Sequence, residues 1–224
     1  MPRLSSRPLM REIADAPAGP AWQRLLQEKA VRLIEQENLV EPAICCDVVD
    51  LDPSATGLLS AKGEVFNAPK LIPEKGELAA IGCGVATLGS RLEQKVTALF
   101  ASRQRSLALV LDQIGNRLLF ALTRYLQDRL FVAARRRGLT MAGELRPGDP
   151  GLSLQAHGPL LRLAGAESIG VSLTRGHALY PLKSISMLLG AGIGLPPARW
   201  SRCDDCRSRS ACKLVEHPSA VGLA

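Results

Sequence analysis

Leu78-Ala-Ala-Ile-Gly-Cys-Gly-Val-Ala-Thr-Leu-Gly-Ser90 is the stretch on which the fold turns. From Leu78 to Thr87 it carries no charge and no proline, and it reads as a buried strand. Thr87-Leu-Gly-Ser90 then forms a tight corner. Ser90 is suited to cap a helix over Arg91 to about Arg103, and Glu93, three positions on, completes a capping box.

On the C-terminal side, Ser106 to Arg137 repeats apolar residues at helical spacing through Leu107, Val110, Leu111, Ile114, Leu118, Leu122 and Leu126. Gly138 ends that helix. A strand over Thr140 to Leu145, a Gly/Pro loop from Arg146 to Gly151 and a short helix over Ser153 to Leu163 follow, then strands over Ser168 to Leu173 and Lys183 to Leu189. On the N-terminal side, Pro20 to Leu39 reads as a helix with Pro20 at its first position and Trp22, Leu25, Leu26, Ala30, Leu33 and Ile34 on one face. Ala43 to Val49 and Gly63 to Phe66 are strand-like runs separated by turn signals. Strands and unequal helices in this order predict an α+β fold with a mostly antiparallel sheet packed against helices. Pro196-Pro197 marks a boundary, so the chain divides into a leader (1–19), one α+β domain (20–195) and a small cysteine-rich C-terminal appendage (196–224).

The chain has 224 residues, 46% of them hydrophobic, which suffices for a substantial core. Met1 to Arg11 lacks the apolar region of a secretory signal, and Met187 to Ala198 is too short and proline-broken to span a bilayer. A cytoplasmic location with no membrane partner is therefore expected. The net charge of +7 suits an acidic partner, an anionic ligand or nucleic acid, but aromatics at 4% leave little to stack on bases. Arg135 to Arg137 read as the solvated last turn of the long helix, where cations offset the macrodipole.

Three stretches together carry a family resemblance: Val85 to Glu93 with Leu111-Asp-Gln-Ile-Gly115, Arg146-Pro-Gly-Asp-Pro150, and Gly170 to Ser186. In order and spacing, over residues 78 to 190, they resemble the activation (reactivation) domain of cobalamin-dependent methionine synthase and its stand-alone relatives. The resemblance implies a C-shaped α+β domain that binds S-adenosylmethionine and presents its methyl group to a cobalamin held by a partner. By that likeness the chain is an accessory protein of corrinoid-dependent methyl transfer, its partner a corrinoid-binding protein or methyltransferase subunit. The site positions carried over are Arg146, for a carboxylate or phosphate, Gly148, for close backbone approach, and Tyr180, as an apolar wall with a polar tip. They imply that 146–150 and 177–183 face each other across a groove. The family's Arg-Pro-x-Pro-Gly-Tyr-Pro loop is two residues shorter here and lacks the tyrosine, and Met187-Leu188-Leu189 replaces an aromatic pair.

Cys203-Asp-Asp-Cys206-Arg-Ser-Arg-Ser-Ala-Cys212 is a C-x2-C-x5-C array of the kind that brings thiolates to one Fe–S centre or zinc ion. Its arginines favour thiolates. The fourth ligand is left open among Cys45, Cys46, Cys83 and His217. Cys45, Cys46 and Cys83 sit in apolar runs and read as buried thiols. His157 and His177 read as ordinary surface or turn residues. A docking subunit with a zinc-stapled basic tail and a nucleic-acid-binding protein remain the alternative functions. Replacing Cys203, Cys206 or Cys212 with serine is expected to lower the metal or cluster content of anaerobically purified protein, read by metal analysis and visible absorption. Unchanged content in all three variants refutes the shared centre.

Overall fold

A computed structural model describes residues 20–53 and 57–195, together with Met10. The cysteine-rich segment 196–224 and nearly all of the leader lie outside the described residues, and with them Cys203, Cys206, Cys212 and His217.

The apolar run becomes strand β4 (Glu77–Thr87), which pairs with β1 (Ala43–Asp50) on one side and β8 (Ser184–Ile193) on the other. β5 (Thr140–Leu145) closes the sheet on the far side of β8, giving the order β1-β4-β8-β5 with every pair antiparallel. The sheet is covered on both faces, as the uncharged composition of its central strands requires. Ile81, Cys83 and Val85 project into one core while Ala80 and Ala86 project into the other. On that second face β4 itself contributes only small residues from Ala80 to Ala86, with Gly82 and Gly84 between the alanines, and the helices lie against it.

That helical layer contains α1 (Ala21–Gln36), α2 (Arg91–Ala101) and α3 (Arg105–Arg136). In α3, Leu107, Leu111, Ile114, Leu118, Leu122, Leu126 and Leu130 are buried, which is the periodic stripe of the sequence. A Cβ placed on Gly84 would lie 3.0 Å from both Leu126 and Leu130 side chains, so the absent side chain lets the long helix seat on the strand. The opposite layer is smaller. It contains α4 (His157–Ala164), the ribbon of β2 (Leu59–Ala61) and β3 (Glu64–Phe66), and short 3-10 turns. The α+β class with an antiparallel sheet packed against helices stands as expected.

Several local expectations are corrected. Pro20 precedes α1 as its cap, and Trp22 and Leu25 are exposed while Ala30 and Ile34 carry the burial. Ser90 has helical dihedrals and makes no capping bond, because Glu93 is used elsewhere: its Oε2 accepts the Leu182 N–H at 2.6 Å. The expected strand over 168–173 is largely a 3-10 turn (Ala166–Ile169) set between left-handed Gly165 and Gly170, leaving a two-residue strand β6 (Ser172–Leu173) that pairs with β7 (Leu179–Tyr180). Arg135 and Arg136 are exposed, but Arg137 reaches the edge of the sheet and donates to the Val48 carbonyl and to Asp50.

Gly84→Val is expected to overfill the α3–β4 contact and cost about 1–3 kcal/mol, read as a lower urea midpoint at unchanged slope.

Candidate functional site

Two of the three stretches that carry the family resemblance, 85–93 with 111–115 and the end of 170–186, converge on one junction at the end of β4. Thr87 and Ser184 hydroxyls lie 2.8 Å apart across the β4–β8 pair, and the Leu88 N–H donates to the Lys183 carbonyl at 2.9 Å. Lys183 turns its ammonium onto α3, donating to Asp112 Oδ1 at 2.7 Å and Asn116 Oδ1 at 2.6 Å. Gly115, one turn along, admits Leu92 of α2, whose methyl would lie 2.8 Å from a Cβ there. With Glu93 holding the Leu182 amide, the corner, both helices and the start of β8 are bound to one another. The motif therefore marks a structural joint.

Of the three positions carried over as ligand contacts, Arg146 is the most buried, at 9% exposure. Its Nε and Nη2 both reach Glu144 Oε1 at 2.8 Å, and Glu144 Oε2 accepts from Gln127 of α3. The Arg146 N–H donates to Asp149 Oδ2 at 2.9 Å, closing the loop that follows β5. Gly148 stands at φ +97, a conformation that favours glycine, and its N–H donates to the Leu152 carbonyl. It lines a cleft of about 410 Å³ with Asn67, Pro69, Asp149, Leu152 and Ser153. Arg146 and Tyr180 are not in that lining. Tyr180 is half exposed on β7, ahead of the cis bond to Pro181.

A histidine links the two loops indirectly. His157 opens α4 and is buried, its Nδ1 lying 2.8 Å from the His177 carbonyl. His177 itself sits at φ +58 in the turn before β7. Burial lowers the His157 imidazole pKa, with the His177 carbonyl opposing the shift, so the ring is neutral and donates from Nδ1. The sequence shows His157 as an isolated histidine. Only the fold reveals it as an internal tie, because the signal is a tertiary contact across twenty residues.

Cys45 and Cys83 are buried toward the smaller layer, and burial pushes both thiols up to about 12. Cys46 is also raised by burial. Cys45 and Cys83 are the buried thiols expected, whereas Cys46 is only half-buried. Among the described residues, no group of three or more His, Cys, Asp or Glu side chains is placed to hold a metal ion. Nor is any helix of that region long and apolar enough to cross a membrane.

A four-stranded antiparallel sheet, with a long helix on one face and a small helix-and-ribbon layer on the other, defines an α+β fold class. The comparison with solved structures agrees. The crystal structure of the MetH reactivation domain bound to AdoHcy superposes with a TM-score of 0.60 at 14% identity, covering 94% of this chain and 82% of that one. No protein-family model and no curated protein matches the sequence.

A histidine held neutral by burial binds its proton less readily in the folded chain than in the unfolded one. Its contribution to stability is present above the ordinary imidazole pKa of about 6.5 and is lost as pH falls below that value. His157→Gln, which keeps a donor, is expected to flatten the fall in melting temperature between neutral and mildly acidic pH, measured by calorimetry. An unaltered pH profile refutes the assignment.

Proposed function

We propose that this chain is an accessory protein of corrinoid-dependent methyl transfer, acting on a corrinoid-bearing partner protein so that inactive cobalt, once it has received an electron, takes a methyl group and is restored to its active state. The likeness to the MetH reactivation domain over 94% of the chain carries this reading. AdoHcy, the ligand in that structure, is what remains of S-adenosylmethionine once its methyl group has been given up. S-Adenosylmethionine is accordingly the small molecule proposed for this chain, supplying an electrophilic methyl on a sulfonium.

The residues proposed to hold it are Arg146, Gly148 and Tyr180. Gly148 lies at a cleft, with the Leu154 side chain beside it. Arg146 meets a ligand carboxylate only by sharing its guanidinium with Glu144, since Nε and Nη2 already converge on one oxygen of that side chain. Tyr180 presents an exposed ring. Cys203, Cys206 and Cys212 are proposed to hold an Fe–S centre, which would supply an electron to the partner's cobalt, or a zinc ion.

The Arg146–Glu144 pair favours a second reading, in which the fold persists as a docking subunit and the small-molecule site has been given over to internal contacts. Calorimetric titration separates the two. S-Adenosylmethionine is expected to bind the wild type, and Arg146→Ala to weaken it by up to about tenfold, less than the ~1.5–3 kcal/mol of a whole charged hydrogen bond because Glu144 already shares the guanidinium. Absence of binding at millimolar concentration, for S-adenosylmethionine and separately for cobalamin, rules out the small-molecule role and leaves the docking subunit.

A further inference from the structure

The β2–β3 ribbon turns through Lys62 and Gly63, both at positive φ (+48 and +78), which is the two-residue hairpin turn that matches strand twist. Ala61 and Glu64 close that turn, so the next pair, Ser60 and Val65, points its backbone groups outward from the ribbon. On the β2 side the outward group is used: the Ser60 carbonyl accepts from the Asp52 N–H at 2.7 Å. On the β3 side, the N–H and carbonyl of Val65 have no hydrogen-bond partner among the described residues.

The edge is not open to bulk water on a flat surface. A cleft of about 320 Å³ runs from Val65 and Asn67 to Ser153, Gln155 and Pro159 at the start of α4. It shares Asn67, Leu152 and Ser153 with the larger cleft beside Gly148. Outside that lining, Arg162 of α4 grips Glu64 through two bonds of 2.6 and 2.8 Å, tying the ribbon tip to the helix. Among the described residues, Asp149 is the only ionisable side chain in either lining, and it already accepts the Arg146 N–H. Asn67, Ser153 and Gln155 offer neutral donors and acceptors beside apolar Leu58, Val65 and Pro159.

We infer that this cleft is a strand-acceptor site: it takes a short, extended, uncharged segment of a partner protein, which adds to β3 through the backbone of Val65. An unpaired strand edge matches a peptide backbone, and alternate side chains of the incoming strand find the apolar wall. The absence of fixed charge in the lining selects against acidic and basic segments, despite the chain's net charge of +7. This site does not depend on the methyl-transfer reading.

The test uses the full 224-residue chain and a phage-displayed library of random heptapeptides. Panning is expected to enrich uncharged peptides alternating β-branched and polar residues. A synthetic version should shift the amide resonances of Val65, Asn67 and Ser153 in two-dimensional NMR. N-methylation of its central amide should weaken it at least tenfold, as should Ser153→Trp, which fills the cleft, and Asn67→Asp, which places a charge in it. Both altered positions are exposed, and an unchanged melting temperature confirms that the variants fold. No enrichment, charged or helical consensus peptides, or indifference to N-methylation overturns the proposal. Concentration-dependent shifts at Val65 without peptide would assign the edge to a second copy of the chain, and enrichment of sequences from 196–224 would assign it to that segment. Either result also overturns the proposal.

Discussion

Helix α3 approaches the backbone of β4 closely because positions 82 and 84 carry no side chain, and the rest of the fold is arranged around that contact. With Leu126 and Leu130 seated on those glycines, the central strand is buried on its helical face without bulky residues of its own. Ile81, Cys83 and Val85 are then free to fill the opposite core. The long helix also fixes α1 and α2, which complete its layer, and its C-terminal Arg137 caps the exposed edge of β1. Five fully buried leucines on α3, at about 1.5–3 kcal/mol each relative to exposure, make this the dominant apolar contribution of the layer.

Long elements were legible because their periodicity is dictated by burial. The α3 stripe, the uncharged β4 run and the glycine after Arg137 each announce themselves locally. Short elements were not. β2 and β6–β7 depend on turns whose handedness comes from Gly63, Gly165 and Gly170, and on partners found only in three dimensions. The Ser90–Glu93 pattern misled for a related reason. A carboxylate at the third helical position serves a cap only if nothing better is in reach, and the Leu182 amide, eighty-nine residues away, claims it. Trp22 and Leu25 keep helical spacing yet face solvent, since periodicity names a face without saying what covers it.

The candidate site was legible to a lesser degree, because its residues were read from a resemblance whose most specific positions prove to be joints. Lys183, Asp112, Asn116 and Glu93 are satisfied by one another or by backbone, and each bond joins elements distant in sequence. Such contacts persist wherever the fold persists. Ligand contacts persist only where the ligand does, and the loop 146–150 is where this sequence departs most from the family pattern.

The architecture is shared with a solved reactivation domain at 14% identity, and a shared fold does not carry recognition chemistry with it. The Arg146–Glu144 pair shows one constraint on what this loop can bind. A largely buried guanidinium must be matched by a carboxylate, either from a ligand or from the protein itself, because an unpaired buried charge is far costlier than a paired one. Glu144 supplies that match, and Gln127 of α3 in turn steadies Glu144, so the arginine is compatible with a folded chain whether or not a ligand is bound. A ligand carboxylate arriving there gains only the difference between its own bond and the one it shares or displaces. Binding energy for the proposed ligand would then come mainly from the rest of the molecule, so an arginine already paired within the protein tunes affinity and orientation and does not by itself supply a site.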